Sequence, residues 1–442
     1  MSGRLIEDLG DGLVVRHITP ADADELCEFN GTQHADPGQT FDHFVATWTR
    51  DMIERPPRGF TLDDFTVVED TRTGRIVSSV NLISQTWTYD GVPFGVGQVE
   101  AVATHPDYRR RGLVRRQFEI AHRWSAERGE LVTVVSGIPW YYRQFGYEMC
   151  VSHGAGPTGF APLIPPLAEG EAEPYTVRRA IAADAPFITR VAAQAAGRYL
   201  LACVRDEAGW RYEIERDSPR SLAQHELRVI EDAAGGRVGF LAHRPTLWQW
   251  GIQLTAYELT PGTSWMAATP SVLRYLAAEG AAYAERDGRQ CQGYRFALEF
   301  EHPAYHAIPN RLPMRGRTGA WFIRVADLPA LLLRVAPVLE RRLAASVAAG
   351  FDGELRLNFY RSGLRLLFAA GRLTAVEPWP ECDFRTGGAS FPDLTFLHLL
   401  FGYRALDELE YAFADCYAAS EQARVLLAAL FPKKPSSVWQ IS

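Results

Sequence analysis

The sequence is poor in cysteine, and none of its cysteines stands where a disulfide or zinc framework would need it. The six cysteines among 442 residues are scattered singly, with no Cys-x-x-Cys pair. Small secreted domains and zinc modules bring their cysteines together at short, repeated spacings. We therefore predict reduced thiols, no bound metal and a cytoplasmic protein.

Long apolar runs and an excess of basic charge are missing as well. No run of about 18 apolar residues occurs, so no membrane span or membrane partner is predicted. The N-terminal residues 1–8 lack the apolar core of a signal peptide. Lysine and arginine total 46 against 53 acidic residues, a formal net charge of -7. This balance disfavours nucleic acid as a partner and suits a cationic substrate such as an amine somewhat better.

The chain has ample material for globular cores. Hydrophobic residues make up 47% of it, and its length exceeds the size at which one core keeps growing. Two to three domains are therefore expected.

An internal repeat indicates how these domains are arranged. Segment 15–23 returns at 177–185 and segment 67–76 returns at 229–238, so both matches share an offset of 162 residues, from 15 to 177 and from 67 to 229. A domain-sized period indicates two copies of one fold. Between the copies, residues 157–174 contain five prolines and have the composition of a linker.

A third region begins near Arg315. Its pattern predicts a helical stretch over 326–349, a hairpin of 355–359 with 364–368, and helices near 393–410 and 414–430. The predicted domains are 1–163, 174–315 and 316–442.

The strongest chemical signal lies in residues 99–114. A β-type run ends at Pro106, and a helix is predicted from about Gly112 to a C-cap at Gly129. A helix start exposes unpaired N–H groups that suit a phosphate, and glycine lets the backbone approach one closely. The three arginines of the string RRRGLV at 109–114 add charge and hydrogen-bond donors.

This string resembles the acetyl-CoA loop of the GNAT superfamily, Gln/Arg-x-x-Gly-x-Gly/Ala. Arg109 and Gly112 match, whereas Val114 replaces the usual small residue. The form Arg-Arg-Arg-Gly-Leu-aliphatic-Arg resembles the enhanced-intracellular-survival (Eis) type of acetyltransferase. That resemblance implies an α+β fold with mixed α/β sheets: tandem GNAT-type domains, the second without a phosphate loop, then a sterol-carrier-protein-like domain. It also implies acetyl-CoA as acetyl donor and a homo-oligomer, a hexamer in the relatives.

The resemblance also assigns contacts with the cofactor. The strand before the loop would offer main-chain groups to the pantetheine arm, and the helix start would hold the pyrophosphate. Two residues after the next strand would touch the cofactor beside the reacting thioester. These three groups are Val102, Ala103 and Thr104; Arg110, Arg111, Gly112, Leu113, Val114 and Arg115; and Gly137 and Ile138.

Acetyl transfer to an amine needs a proton donor for the departing thiolate. A tyrosine of pKa about 10 can protonate a thiolate whose thiol has a pKa of about 8.5. In GNAT enzymes that tyrosine belongs to a Tyr-x-x-Phe/Leu-Gly-Phe/Tyr segment, and counting back from Phe145 assigns Tyr142 as general acid. Tyr141 is the competitor in register.

The general base has two candidates. Eis-type enzymes use the carboxylate of their own C-terminus, which here would belong to Ser442, although the aromatic last residue of that family is missing. Glu100 is the alternative, because it shares a strand face with Val102 and could act through a water. An ordinary ion pair or an exposed carboxylate is the competing interpretation of Glu100.

Two other segments receive no chemical role. Residues 257–266, where the repeat would place a second phosphate loop, lack an arginine cluster. Residues 299–306 contain two histidines and two carboxylates, but Pro303 interrupts the helix that a metal-binding His pair would need, so we predict a polar loop.

Together these features predict an acetyl-CoA-dependent N-acetyltransferase whose acceptor is a primary amine attacking the thioester directly. The resemblance suggests aminoglycoside-like compounds, polyamines or protein lysines as acceptors. Two alternatives remain open. One is an acyl-CoA-binding regulatory protein with weak catalysis, and the other is a lipid carrier that uses the C-terminal domain.

Overall fold

The computed structural model describes residues 3–153, 156–299, 301–315, 319–380 and 388–439. Strands and helices are interspersed along the chain, and the predicted α+β class with mixed sheets is confirmed. The strands are β1 (Leu5–Gly10), β2 (Leu13–His17), β3 (Phe65–Asp70), β4 (Arg75–Tyr89), β5 (Val92–Thr104), β6 (Val132–Val135), β7 (Glu148–His153), β8 (Thr158–Phe160), β9 (Tyr175–Arg179), β10 (Leu201–Cys203), β11 (Glu226–Asp232), β12 (Arg237–His243), β13 (Gly251–Leu259), β14 (Gly293–Phe296), β15 (Gly319–Val325), β16 (Gly353–Asn358), β17 (Gly363–Ala369), β18 (Arg372–Pro378), β19 (Ala389–Ser390) and β20 (Tyr417–Ala418). The helices are α1 (Ala23–Gln33), α2 (His43–Glu54), α3 (Leu113–Glu127), α4 (Ala185–Ala196), α5 (Glu207–Glu215), α6 (Trp265–Asp287), α7 (Pro303–Ala307), α8 (Leu328–Arg334), α9 (Ala336–Ala344), α10 (Phe396–Leu400), α11 (Leu406–Ala412) and α12 (Glu421–Leu430).

Three sheets organise these strands. The first has the order β1-β2-β3-β4-β5-β6-β15-β7, and β10 pairs with the C-terminal end of β4. The second runs β8-β14-β13-β12-β11-β9 and the third β18-β17-β16-β19-β20. Most neighbours are antiparallel, but β5 pairs with β6, β13 with β14 and β16 with β19 in parallel.

Two strands cross the domain limits expected from composition. β15 lies between β6 and β7 of the first sheet, although the sequence places it after residue 316. β8 belongs to the second sheet, so the prediction of a linker over 157–174 is wrong for Thr158–Phe160. Local composition gives no information on long-range strand pairing, which decides both positions.

The internal repeat has a counterpart in side-chain geometry. Arg16 donates to Glu69 at 2.5 Å and to Asp22 at 2.7 and 3.0 Å. At the same offset of 162, Arg178 donates to Glu231 at 2.7 Å and to Asp184 at 2.7 and 3.1 Å. The strand register repeats too, because Val15 faces Val68 while Val177 faces Ile230. In each half one arginine thus links the strand before the first helix, β2 or β9, to the start of that helix and to a neighbouring strand, β3 or β11.

We expect Arg16→Ala to lower the free energy of unfolding by about 3–5 kcal/mol, because it leaves two carboxylates unpaired in a buried setting. The Arg16 side chain is 6% exposed, whereas that of Arg178 is 36% exposed. Solvent screens the more exposed Arg178, and Arg237 still pairs with Asp184 at 3.2 Å, so Arg178→Ala should cost less. Urea titration of both variants measures the difference. Equal losses would contradict this expectation.

The third region follows its predicted order, but β18, β19 and β20 were not predicted, and the last two helical stretches are shorter, as α10 with α11 and as α12. The predicted hairpin is confirmed as β16 and β17, which pair from Gly353 to Asn358. The helical stretch is divided into α8 and α9 around Val335, with Pro337 in the first turn of α9. Leucines of α8, α9 and α12 share one core with Trp87, Tyr89 and Val134 of the first sheet.

None of the described helices is both long enough and apolar enough to cross a membrane.

Candidate functional site

The first sheet opens between β5 and β6. The two strands pair only at Val96–Gln98, beyond which β5 continues to Thr104 against β4 alone. Ala101 has a φ of 51°, and the register with β4 shifts at this point, so Ala101 and Val102 form a bulge opposite Val80. Ala103 and Thr104 resume pairing with β4. The main chain predicted to meet the pantetheine arm therefore borders the opening.

The predicted phosphate loop follows directly. Arg110 and Gly112 adopt left-handed φ values of 64° and 78°, and α3 begins at Leu113 with no side chain capping its start. Residues 109–112 and Arg115 are exposed, Val114 is half-buried and Leu113 anchors the helix in the core. Helix α3 ends at Glu127 with Gly129 in the left-handed region, as predicted. Its first N–H groups are available to an anion.

Neighbouring side chains hold this loop in place. The Tyr108 hydroxyl donates to Asp70 at 2.7 Å, and Arg72 pairs with the same carboxylate at 2.7 Å. Arg109 donates to the Thr104 carbonyl at 3.2 Å, and Arg115 donates to Gln144 at 3.2 Å. Sequence reasoning missed Asp70, because its contact with Tyr108 spans 38 residues.

The corresponding helix of the second half begins differently. Ser264 precedes α6, and its hydroxyl accepts a hydrogen bond from the Ala267 N–H at 3.3 Å. One of the N–H groups that an anion would need is already satisfied there. The two halves therefore differ in capping as well as in arginine content.

Tyr142 lies beside the opening on a short 3-10 turn, Tyr141–Phe145. Its ring is 4% exposed and packs on Phe118 and Phe322. Its hydroxyl has no hydrogen-bond partner among the described residues. Burial, followed by the nearby charge of Glu100, raises the pKa of Tyr142 well above its ordinary value of 10.0. The group is thus held as a neutral hydroxyl.

Gly137, two residues after the end of β6, lies close to the Tyr142 hydroxyl. A Cβ added to Gly137 would stand 2.8 Å from the Tyr142 oxygen, so any other residue at this position would collide with Tyr142 where it now lies. Gly137 and Ile138 are both exposed, with 62% of Ile138 accessible. Tyr141, the competitor, is half-buried, and its ring meets that of Tyr142 edge-on.

Glu100 belongs to a polar chain that the sequence did not reveal. Gln98 donates to Glu100 at 2.7 Å, and Ser136 donates to the same oxygen at 3.5 Å. Gln85 donates to Gln98 in turn and accepts from Trp87 at 3.0 Å. The period-2 alternation of polar residues on β4 and β5 was the available signal, but it does not identify partners across strands.

The series of polar contacts that begins at Glu100 continues to Trp439, the last described residue. The Cys203 thiol lies 3.8 Å from the Gln85 oxygen and donates to the Trp439 carbonyl at 3.1 Å. Residues 435–437 hydrogen-bond to Leu200 and Leu201 next to the edge of the first sheet. Ser442, the other predicted base, lies outside the described residues.

The histidine-rich segment is structural. His302 is buried at the start of α7, donates from Nε2 to the Tyr257 carbonyl at 2.9 Å and accepts from the Ala304 N–H at 3.2 Å. The predicted polar loop is wrong for residues 303–307, because Pro303 begins a helix rather than breaking one. The described residues contain no group of three or more potential metal ligands.

Comparison with known proteins gives a match for most of the first sheet. Residues 14–150 match the family model of the acetyltransferase (GNAT) domain. Over these residues the chain is similar to GNAT acetyltransferase domains. The matched residues include the loop 109–114, Glu100 and Tyr142.

Solved structures match nearly the whole chain. A GCN5-related N-acetyltransferase from Kribbella flavida is 17% identical, with a TM-score of 0.64 over 97% of this chain and 98% of that one. One from Anabaena variabilis is 14% identical, with a TM-score of 0.63 over 97% and 98%. Eis1 from Mycobacterium abscessus is 15% identical, with a TM-score of 0.59 over 96% and 99%. At these identities the likeness shows the fold. No curated protein sequence matches this chain.

Proposed function

We propose that the protein is an acetyl-CoA-dependent N-acetyltransferase acting on a primary amine. One observation carries the proposal: the uncapped start of α3 lies in the same GNAT domain as a buried, neutral tyrosine at the opening between β5 and β6. The first feature suits a diphosphate, and the second suits a thiolate leaving group.

The cofactor contacts follow the backbone geometry. The N–H groups from Arg110 to Arg115 would hold the pyrophosphate, and Val102 to Thr104 would align the pantetheine arm along β5. Gly137 and Ile138 would border the thioester beside Tyr142. Bound by these residues, acetyl-CoA would supply an activated acetyl group for transfer at the opening.

The reaction needs one bond made, one broken and two proton movements. The amine nitrogen attacks the thioester carbon, and the carbon–sulfur bond breaks. Tyr142 gives its proton to the departing sulfur, and the base takes a proton from the attacking nitrogen. Glu100 is positioned to act through a water, and the Ser442 carboxylate is the other proposed base. Replacing Glu100 by Gln distinguishes them, because only the Glu100 route loses its base.

The rest of the chain is assigned as a second GNAT-like unit without a phosphate loop and a sterol-carrier-protein-like unit over 316–442. The shared arginine cluster at offset 162 supports the duplication. A homo-oligomer, hexameric as in Eis-type relatives, is part of the proposal, and size-exclusion chromatography with light scattering tests it.

The function is tested by calorimetric titration with acetyl-CoA, followed by thiol release with a panel of amines. The panel contains a polyamine, an aminoglycoside and a lysine peptide. Cofactor binding with turnover of at least one amine is the expected result. Binding without turnover would favour a regulatory acyl-CoA-binding protein, and lipid recovered from the native protein by mass spectrometry would favour the carrier.

The pH profile gives a further test of the acid. Because the folded-state pKa of Tyr142 lies above 10.0, its hydroxyl keeps the proton at pH values where an ordinary tyrosine begins to lose it. We expect kcat to show no alkaline decline below about pH 10. A fall centred between pH 8 and 9 under saturating substrate would contradict this role, since these values lie about one to two units below an ordinary tyrosine pKa.

A further inference from the structure

A large cavity lies beside the GNAT domain. Its volume is about 1720 Å³, and residues from the first sheet, the second sheet and the C-terminal segment 437–439 line it. Cys203 and Trp439, which end the polar chain from Glu100, belong to its wall. A series of polar contacts through Gln85 and Gln98 therefore links the cavity wall with the proposed acyl-transfer site.

Arg205 and Arg244 line this wall, and Arg216 lies near Arg244 without lining the cavity. Arg205 pairs with Glu213 at 3.6 Å, and Arg216 pairs with Asp51 at 3.8 Å. Asp51 also pairs with Arg55 at 2.5 Å. The third arginine, Arg244, forms no ion pair with any carboxylate in the described ranges. The cluster thus carries an excess of positive charge.

Arg244 directs unused donors towards the cavity. A guanidinium has five N–H donors, and the Leu222 carbonyl accepts the one hydrogen bond that this side chain forms within the described residues. Burial lowers the pKa of Arg244 to about 10, which still leaves it charged at neutral pH. Arg244 is half-buried, and Glu213 attracts it without forming an ion pair, so an anion bound directly to the guanidinium would stabilise the charge further.

Glu213 attracts Arg244 but also pairs with Arg205, and the other titratable groups near Arg244 that the structure describes do not supply a counterion. Burial and the charge of Arg244 lower the pKa of His153 to about 4, and they also lower the pKa of His225. Burial raises the pKa of Glu299 to about 8, although Ser152 donates to it at 2.7 Å. At neutral pH this carboxyl is therefore mostly uncharged.

We infer that the cavity binds an anionic group, a carboxylate or a phosphate, on Arg244, and that this group belongs to the amine acceptor. The inference rests on the proposed function and narrows its acceptor class. Aromatic rings of Trp210, Phe240 and Trp439 lie beside the arginines and suit an apolar body between the amine and the anion. A polycationic acceptor would meet an unfavourable charge here.

Binding is tested by calorimetric titration of the full chain with two pairs of ligands. Phenylalanine is compared with phenethylamine, and O-phosphoethanolamine with ethanolamine, so the pairs separate a carboxylate from a phosphate. We expect the anionic member of at least one pair to bind about 10- to 100-fold more tightly, as for hydrogen bonds to a charged group. Equal affinities in both pairs, or no binding at all, would overturn the inference.

Two variants test whether the preference for the anionic ligand of each pair depends on Arg244. Arg244→Gln should abolish it, while Arg286→Gln should retain it, because Arg286 lines the same cavity but already pairs with Asp287 at 2.7 Å. The melting temperature of Arg244→Gln should equal or exceed that of the wild type, since the loss of one hydrogen bond to Leu222 is offset by the removal of a charge that forms no ion pair in the described ranges. Loss of the preference in both variants would contradict the assignment.

Acetyl transfer to the same four amines tests the proposed acetyltransferase activity separately from the anion site on Arg244. Transfer to all four without preference would leave the proposed function standing and reject the anion site. An Arg244-dependent preference in binding without any transfer would retain the site and reject the acetyltransferase.

Discussion

Tyr142→Phe should lower kcat by about 100- to 10,000-fold, the range for loss of a general acid, and leave the dissociation constant of acetyl-CoA unchanged. The substitution removes one oxygen, and the ring can keep its contacts with Phe118 and Phe322. The thiolate would then leave unprotonated, which raises the barrier without affecting the bound diphosphate. Steady-state kinetics and calorimetry measure the two quantities separately.

Tyr141→Phe is the matched control, because it lies on the same turn and is half-buried. It should leave kcat close to the wild-type value. A large loss in this variant and not in Tyr142→Phe would mean that the register of the motif is shifted by one residue. Equal turnover in both variants and the wild type would remove tyrosine from the mechanism.

Gly112→Ala should weaken acetyl-CoA binding by about tenfold or more, which corresponds to about 1.4 kcal/mol. Gly112 has a φ of 78°, where a residue with a Cβ is strained by about 1–2 kcal/mol. Relief of that strain would turn the first N–H groups of α3 away from the diphosphate. Calorimetry of the variant with coenzyme A gives the change directly.

Gly262→Ala is the control for strain alone. Gly262 precedes α6 with a φ of 87°, and, as at Gly112, a Cβ added to this residue would meet no atom within 4 Å. The variant should lose similar stability and keep full affinity for the cofactor. If both variants weaken binding equally, general destabilisation rather than the loop accounts for the effect.

The local features of the fold could be predicted from sequence. The start of α3 after Gly112 and the hairpin of β16 with β17 depend on glycines and on periodicity within a few residues. The position of β15 could not be predicted, because its partners lie more than 160 residues earlier in the chain, as Phe322 facing Val135 illustrates. Backbone pairing at such separations leaves no trace in local composition.

The same limit applies to the candidate site. The phosphate loop and Tyr142 could be located because their motif is contiguous. The environment of Glu100 could not, since Gln85 and Cys203 come from different strands and the contact between these two spans 118 residues. Arg244 was missed for a related reason: its surroundings, with no ion pair among the described residues, depend on the folded chain and not on its sequence neighbours.

The position of β15 has a consequence for synthesis of the protein. Strands β6 and β7 are both complete by residue 153, yet each pairs with β15, which ends at Val325. While the ribosome translates the intervening residues, both strands expose open edges, which are templates for aggregation. A shortened gene ending after β7 would leave those edges open permanently. Phe322, which packs against Tyr142, would be missing from such a fragment.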